Sequence, residues 1–234
     1  MSISIAGKRW TITLDEAKAA VSGYAFAVRK VNGELAPRWA YRTYDCIPAS
    51  SGPDFSDLDI LVAAGLNGEL DVAAIGALQL ATRRAGPYLA QAAAAGQEFD
   101  KLVLAELADN PAPGTTGWLL NQAWHEMIST PDVGRALTHK VLHHKQSALF
   151  PLLDRQTADV LRPAGQPHGW NAWQVIWADI DGSRGDFEEL RVWFAARAAA
   201  RSGVLLGLPR LHDILIWLQA ADQWKDAVTA ADRI

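Results

Sequence analysis

A single cysteine, Cys46, excludes an internal disulfide and with it a small secreted scaffold held by cross-links. No stretch of about 18 uninterrupted apolar residues occurs, so no spanning helix and no membrane partner are expected. The opening MSISIAGKRW lacks a charged segment followed by an apolar one, which excludes a secretory leader there; a cytoplasmic protein is expected. Surplus positive charge is also missing. Lys and Arg number 22 against 26 Asp and Glu, a net −4, which argues against indiscriminate nucleic-acid binding. What remains is an ordinary globular balance: 234 residues, 50% hydrophobic and 21% charged, long enough to bury a core without staples. Ten tryptophans, most of them from Trp118 onward, supply large packing area.

Ile3, Ile5, Trp10 and Ile12 alternate around Gly7-Lys8, which predicts a short N-terminal β-hairpin. Thr13-Leu14-Asp15-Glu16 carries a capping-box signature for a helix over about 13–30, stopped by Asn32-Gly33. A Pro-, Ser- and Gly-rich loop follows over about 33–55. Further helices are expected from Ser56 to the Asn67-Gly68 stop, then over 72–84 up to Gly86-Pro87, 87–97 and 98–108. Asp109-Asn110-Pro111-Ala112-Pro113-Gly114 is the clearest breaker and divides a lobe over 1–108 from one over 115–234, unless both form one compact domain. Beyond it, helices are expected over 116–128, 133–145, 151–161, 170–179, 187–201 and 209–221. The fold class is all-α, with the hairpin as an appendage.

One segment carries chemistry. After a helix ends near Ser129, a turn containing Pro131 and Gly134 leads at once into another helix, whose free amides make an anion site. From Val133 to Leu153 there is no acidic residue, while Arg135, Lys140, Lys145 and three histidines are present. That local positive field marks Val133, Gly134, Arg135, His139, His143 and Lys145 as candidates for holding phosphate.

This segment resembles the helix-hairpin-helix DNA glycosylases. Pro131-Asp132-Val133-Gly134 stands where that superfamily has Pro-Gly-Val-Gly, and Phe150-Pro151-Leu152-Leu153-Asp154 places an aspartate 20 positions after Gly134. The resemblance implies a two-lobed helical fold, a base flipped into an interlobe pocket, and Asp154 as the catalytic carboxylate of a hydrolase. The lysine of bifunctional members is replaced by Ala136, so monofunctional base excision is implied; Lys140, one turn along the same face, is the second catalytic candidate because it reaches a similar space. The chain also resembles an uncharacterised bacterial domain family. It shares that family's Gly-Thr-Lys-Lys-Pro-Asp pattern at Gly134, Thr138, Lys140, Lys145, Pro151 and Asp154. It also matches an Arg-x-x-Asp-x-x-x-Trp helix at Arg210, Asp213 and Trp217, and a Tyr-Asp…Phe-x-x-x-Asp pattern at Tyr44, Asp45, Phe55 and Asp59.

Plainer readings stand beside these. Asp132 reads best as a cap for the following helix, and Asp154 favours a helix N-terminus whatever else it does. His139 and His143 share a face with zinc-compatible spacing, but no third ligand is near; a solvated or phosphate-facing histidine face is expected, with no metal and no cofactor. Trp170, Trp173 and Trp177 share a face that reads as core, with base stacking as the alternative. Arg38, Tyr41, Arg42 and Tyr44 read as a clamp holding their loop, or as base and phosphate contacts. The expected function is therefore action on DNA or a nucleotide. The alternatives are a non-catalytic partner-binding scaffold and a small-molecule enzyme using the same pocket.

Overall fold

The alternating isoleucines pair as expected. In the computed structural model, which describes residues 2–66, 70–161 and 170–233, strand β1 (Ser2–Ile5) runs antiparallel to β2 (Trp10–Thr13), with Ile3 opposite Ile12. Thr13 then caps α1 (Leu14–Phe26) in a full capping box: its hydroxyl accepts from the Glu16 amide and the Glu16 carboxylate accepts from the Thr13 amide. This helix stops at Phe26 rather than near residue 30. Residues beyond it form a second hairpin, β3 (Val28–Val31) with β4 (Glu34–Pro37), turning on Asn32 at φ 51° and Gly33 at φ 88°. Asn-Gly is the pair that a two-residue hairpin turn demands, so the helix stop is equally a strand reversal.

Within the expected loop, residues 41–45 wind into one π-helical turn (Tyr41–Asp45) that buries Tyr41 and Tyr44. Next come α2 (Asp57–Leu61), a 3₁₀ turn (Val62–Leu66) and α3 (Val72–Ala94). The Asn67-Gly68 stop lies outside the described residues. Gly86-Pro87 does not end α3. An apolar stripe of Leu78, Ala81, Ala85, Leu89 and Ala92 is buried along one side, and α3 lies against α4 (Thr116–Ile128). That burial outweighs the roughly 3 kcal/mol an interior proline costs. The stretch over 98–108 makes two 3₁₀ turns, Phe99–Lys101 and Leu104–Leu107, instead of a helix. After α4 come α5 (Arg135–Lys145), α6 (Arg155–Val160), α7 (Ala172–Gly182), α8 (Arg184–Ala199), α9 (Leu208–Ala220) and α10 (Trp224–Ala231).

The breaker at 109–114 connects elements that pack on each other, and one apolar core reaches from Ile3 through α3, α4 and α9 to Ala227. The architecture is mostly helical with a short N-terminal antiparallel strand pair. Among the described residues no helix is long and apolar enough to cross a membrane.

Close packing makes one test sharp. A Cβ built on Gly23 of α1 would lie 1.9 Å from the Ala227 carbonyl oxygen of α10. Gly23→Ala is therefore expected to lower stability by about 1–3 kcal/mol, because α10 must shift. Gly76→Ala, on the open side of α3 with nothing within 4 Å of the new Cβ, is expected to raise stability by about 0.5–1 kcal/mol. Urea midpoints of the two variants check both signs.

Candidate functional site

The turn between α4 and α5 is built from its residue types. Thr130 accepts from the Val133 amide at 3.2 Å, Pro131 supplies the first corner, and Asp132 takes φ 66° at the second. This is the shape of a type II turn, in which the second corner must be left-handed and aspartate tolerates it better than most residues. Asp132 is thus not the cap expected from sequence; Gly134 is the N-cap, and no side chain caps α5. Val133 is buried and anchors the turn, while Gly134 and Arg135 are exposed. The first amides of α5 have no intrahelical partner and point out of the turn.

Beside that end of α5 lies a cavity of about 300 Å³. Trp124, Trp170 and Trp173 give it aromatic walls; Arg135, Asn121, Asn171 and Asp109 are polar, with Asn171 donating to Asp109 at 2.9 Å, and Leu153 and Ala158 are among its apolar lining. Trp173 is held edge-on to Phe150 at 5.0 Å and to His139 at 6.4 Å. The tryptophan face read as core divides here. All three are half-buried, but Trp177 donates its Nε1–H to Leu102 at 2.8 Å, whereas Trp170 and Trp173 line the cavity. His139 also lines this cavity, but both its nitrogens are committed. Trp124 donates to Nε2 at 3.2 Å, which makes Nδ1 the protonated nitrogen, 3.0 Å from the Pro151 carbonyl. Burial pushes its pKa down to about 4, so the ring is neutral.

The basic face of α5 turns inward. His139, Lys140, His143, His144 and Lys145 are all buried, so the expected solvated or phosphate-facing histidine face is absent. The donors of His139, Lys140, His143 and Lys145 serve backbone carbonyls outside the α-helices and strands, whereas His144 Nε2 makes no hydrogen bond with the described residues and lies 3.4 Å from Asp59. His143 Nδ1 lies 2.6 Å from the Phe150 carbonyl, and Lys140 Nζ donates to Leu66 at 2.7 Å. Lys145 Nζ donates to the carbonyls of Ser50, at 3.0 Å, and Asp54, at 2.5 Å, and to the Ser50 hydroxyl at 2.6 Å. It also stands 3.5 Å from Asp59. Burial would raise the Asp59 carboxyl, but hydrogen bonds from Ser50 and Ser56 prevail and hold it down to about 2. Among the described residues no group of three His, Cys, Asp or Glu side chains is placed to hold a metal. Arg135, alone among the basic residues singled out on α5, is exposed and has no ion pair with the described residues.

Asp154 is the N-cap of α6. Its Oδ1 accepts from the Thr157 amide at 2.8 Å, and the Asp154 amide donates in turn to the Thr157 hydroxyl at 3.0 Å. It is half-buried, next to cavity-lining Leu153 but not itself on that wall. Its charge is felt by Lys140, whose pKa burial lowers and Asp154 supports.

The paired motifs far apart in sequence meet around Arg210 on α9. Its guanidinium holds Asp45 by two bonds, 2.7 and 2.8 Å, binds Asp213, and donates to Tyr24 at 2.9 Å. Tyr44 lies over the same group, 5.7 Å from its ring centre, and donates its hydroxyl to the Lys140 carbonyl at 2.6 Å. Burial pushes the Asp213 carboxyl up to about 7, against the pull of Arg210. The loop residues behave as a clamp. Arg38 pairs with Asp226 over the Trp39 ring, and Tyr41 donates to Val204 at 3.1 Å while sharing a hydrogen bond with Ser202. Arg42 is exposed.

Sequence reasoning missed Trp124, Asn121 and Asp109. Trp124 had a signal, since it sits on the helix leading into the Pro131–Gly134 turn; the other two had none. A family model described as "Family of unknown function (DUF6308)" matches residues 20–220. No curated protein and no solved structure matches the chain.

Proposed function

The chain belongs to the DUF6308 family, and from its geometry we propose that it binds a nucleotide, free or as a unit of DNA. The base occupies the tryptophan cavity and the phosphate meets the first amides of α5 beside Arg135. The observation that carries this reading is an unpaired arginine at the positive end of a helix, on the rim of an aromatic-walled cavity. A cation at that end costs about 0.3–1 kcal/mol against the helix dipole, a cost an anion reverses. Stacking on the indoles contributes roughly 1–3 kcal/mol per base whatever its identity. Asn121 and Asp109 offer hydrogen bonds to a base edge. The resemblance to the helix-hairpin-helix glycosylases supports the same reading through the Pro131–Gly134 turn. Base excision is the further step of this proposal, with Asp154 as its carboxylate. Because Asp154 caps α6 and is off the cavity wall, recognition is the better supported half.

Titration of the tryptophan fluorescence with nucleoside 5′-monophosphates, the matching nucleosides and a short single-stranded DNA tests it. Saturable quenching is expected. Arg135→Ala should weaken monophosphates and DNA by about tenfold or more and leave nucleosides unchanged. Salt should weaken only the phosphate-bearing ligands. No quenching by any of them at millimolar concentration removes the proposal. Release of free base that Asp154→Asn abolishes would establish the excision step.

A further inference from the structure

A second cavity of about 300 Å³, remote from Arg135, lies where the C-terminal end of α5 faces the N-terminal end of α9. We infer that it is a binding site for a free apolar L-amino acid, with the ammonium toward α5 and the carboxylate toward α9. This goes beyond the nucleotide reading and does not depend on it.

Two helix ends of opposite polarity meet at this one space. At α5, the carbonyls of His143, His144 and Lys145 accept no hydrogen bond from the described residues, so this end carries partial negative charge. At α9, Gly207 is the N-cap without a side-chain cap, and the amides of Leu208 and Arg210 are unpartnered, so that end carries partial positive charge. Asp45 and Arg210 also line the cavity, each compensated by the other in their bidentate pair. A simple anion is repelled by the α5 carbonyls, and a simple cation by the α9 terminus. A zwitterion with both charges a few ångströms apart suits both ends.

A second, independent feature asks for a ligand. His143 is 1% exposed and lines the cavity. Its Nδ1–H is committed to Phe150 at 2.6 Å, so Nε2 is an acceptor, and it has no partner among the described residues. That acceptor faces the cavity, where an ammonium N–H can donate to it. The remaining walls include Ile47, Pro48, Val204 and Leu206, an apolar lining for the side chain. The volume is at the small end of ligand pockets, as a single amino acid requires.

Gly207 gives the means to close the cavity. It has an ordinary φ of −72°, and a Cβ there meets nothing nearer than Pro209 Cδ at 3.7 Å and the cavity-lining Ser147 carbonyl at 3.9 Å. The test measures thermal unfolding and calorimetric titration of the full chain with leucine, isoleucine, valine and methionine, with glutamate and lysine for comparison. N-acetyl-leucine and leucine methyl ester each remove one charge. An apolar amino acid should raise the unfolding temperature and give a saturable heat. Each derivative should bind about tenfold or more weakly than leucine. Gly207→Leu should abolish leucine binding while preserving cooperative unfolding and the nucleotide-induced fluorescence change, if wild type gives one. Equal binding of leucine and its two derivatives would reduce the cavity to a greasy hollow and overturn the inference; so would the absence of binding by all four apolar amino acids. The derivative comparison uses wild-type protein, so it decides the matter even if Gly207→Leu does not fold.

Discussion

Arg210→Met is expected to lower the folding free energy by about 3–5 kcal/mol, a large part of what a domain of this kind possesses. The reason is what the substitution leaves behind. Asp45 and Asp213 are buried on either side of the guanidinium, and Tyr24 loses the donor to its hydroxyl. Methionine fills comparable volume but answers none of these groups. Adding Asp45→Asn and Asp213→Asn removes the stranded charges, so the triple variant is expected to recover most of the loss. Urea denaturation of wild type, single and triple variants provides the comparison. A single variant within 1 kcal/mol of wild type would show that the cluster adds little to stability. A triple variant no better than the single one would show that packing, not charge, dominates there.

Acidification from pH 6.5 to pH 4 is expected to remove several kcal/mol of stability. Burial holds His139 near pKa 4 and His143 near 3, while the unfolded chain protonates both around 6.5. Between those values the unfolded chain binds protons that the folded one refuses, so stability falls as pH falls. His144, also lowered by burial, acts in the same direction. Asp213 opposes them: raised to about 7, it keeps a proton the unfolded chain releases near 3.8, and its contribution grows as pH falls. One carboxyl against two strongly shifted imidazoles leaves a net slope on the order of 1.4 kcal/mol per pH unit. His143→Asn, whose amide reproduces the donor to Phe150, should flatten that slope by a similar amount. Urea midpoints at pH 4.5, 5.5, 6.5 and 7.5 measure it. Stability that rises on acidification would mean that Asp213 governs the balance.

Much of the helical framework was legible because local signals agreed with burial. Thr13 and Ser56 both cap helices through full capping boxes, and the helix over 116–128 has the limits its periodicity gives. Where long-range packing overrides a local signal, the reading failed. Pro87, itself exposed, stays inside α3 because packing on α4 holds the apolar stripe on either side of it in sequence, and Asn32-Gly33 reverses a strand pair rather than ending a helix. The site was legible in part. The charge pattern of α5 marked a helix whose basic side chains have specific partners, but charge in a sequence does not say whether its partner is a phosphate or a carbonyl. Only coordinates show that Lys140, His143 and Lys145 answer the backbone at 66, 150 and 50–54. The meeting of Asp45 with Arg210 spans most of the chain and left no local trace beyond the two separate motifs.

Seen as a piece of mechanics, α5 is a strut. Its 11 residues make a rod of about 16 Å, with one tip at each hollow. Lateral ties to residues 50, 54, 66, 150 and 151 grip the shaft along its length. A rod so held joins the two hollows through one element, and by linkage any effect of an occupant of one on binding at the other would be returned in equal measure.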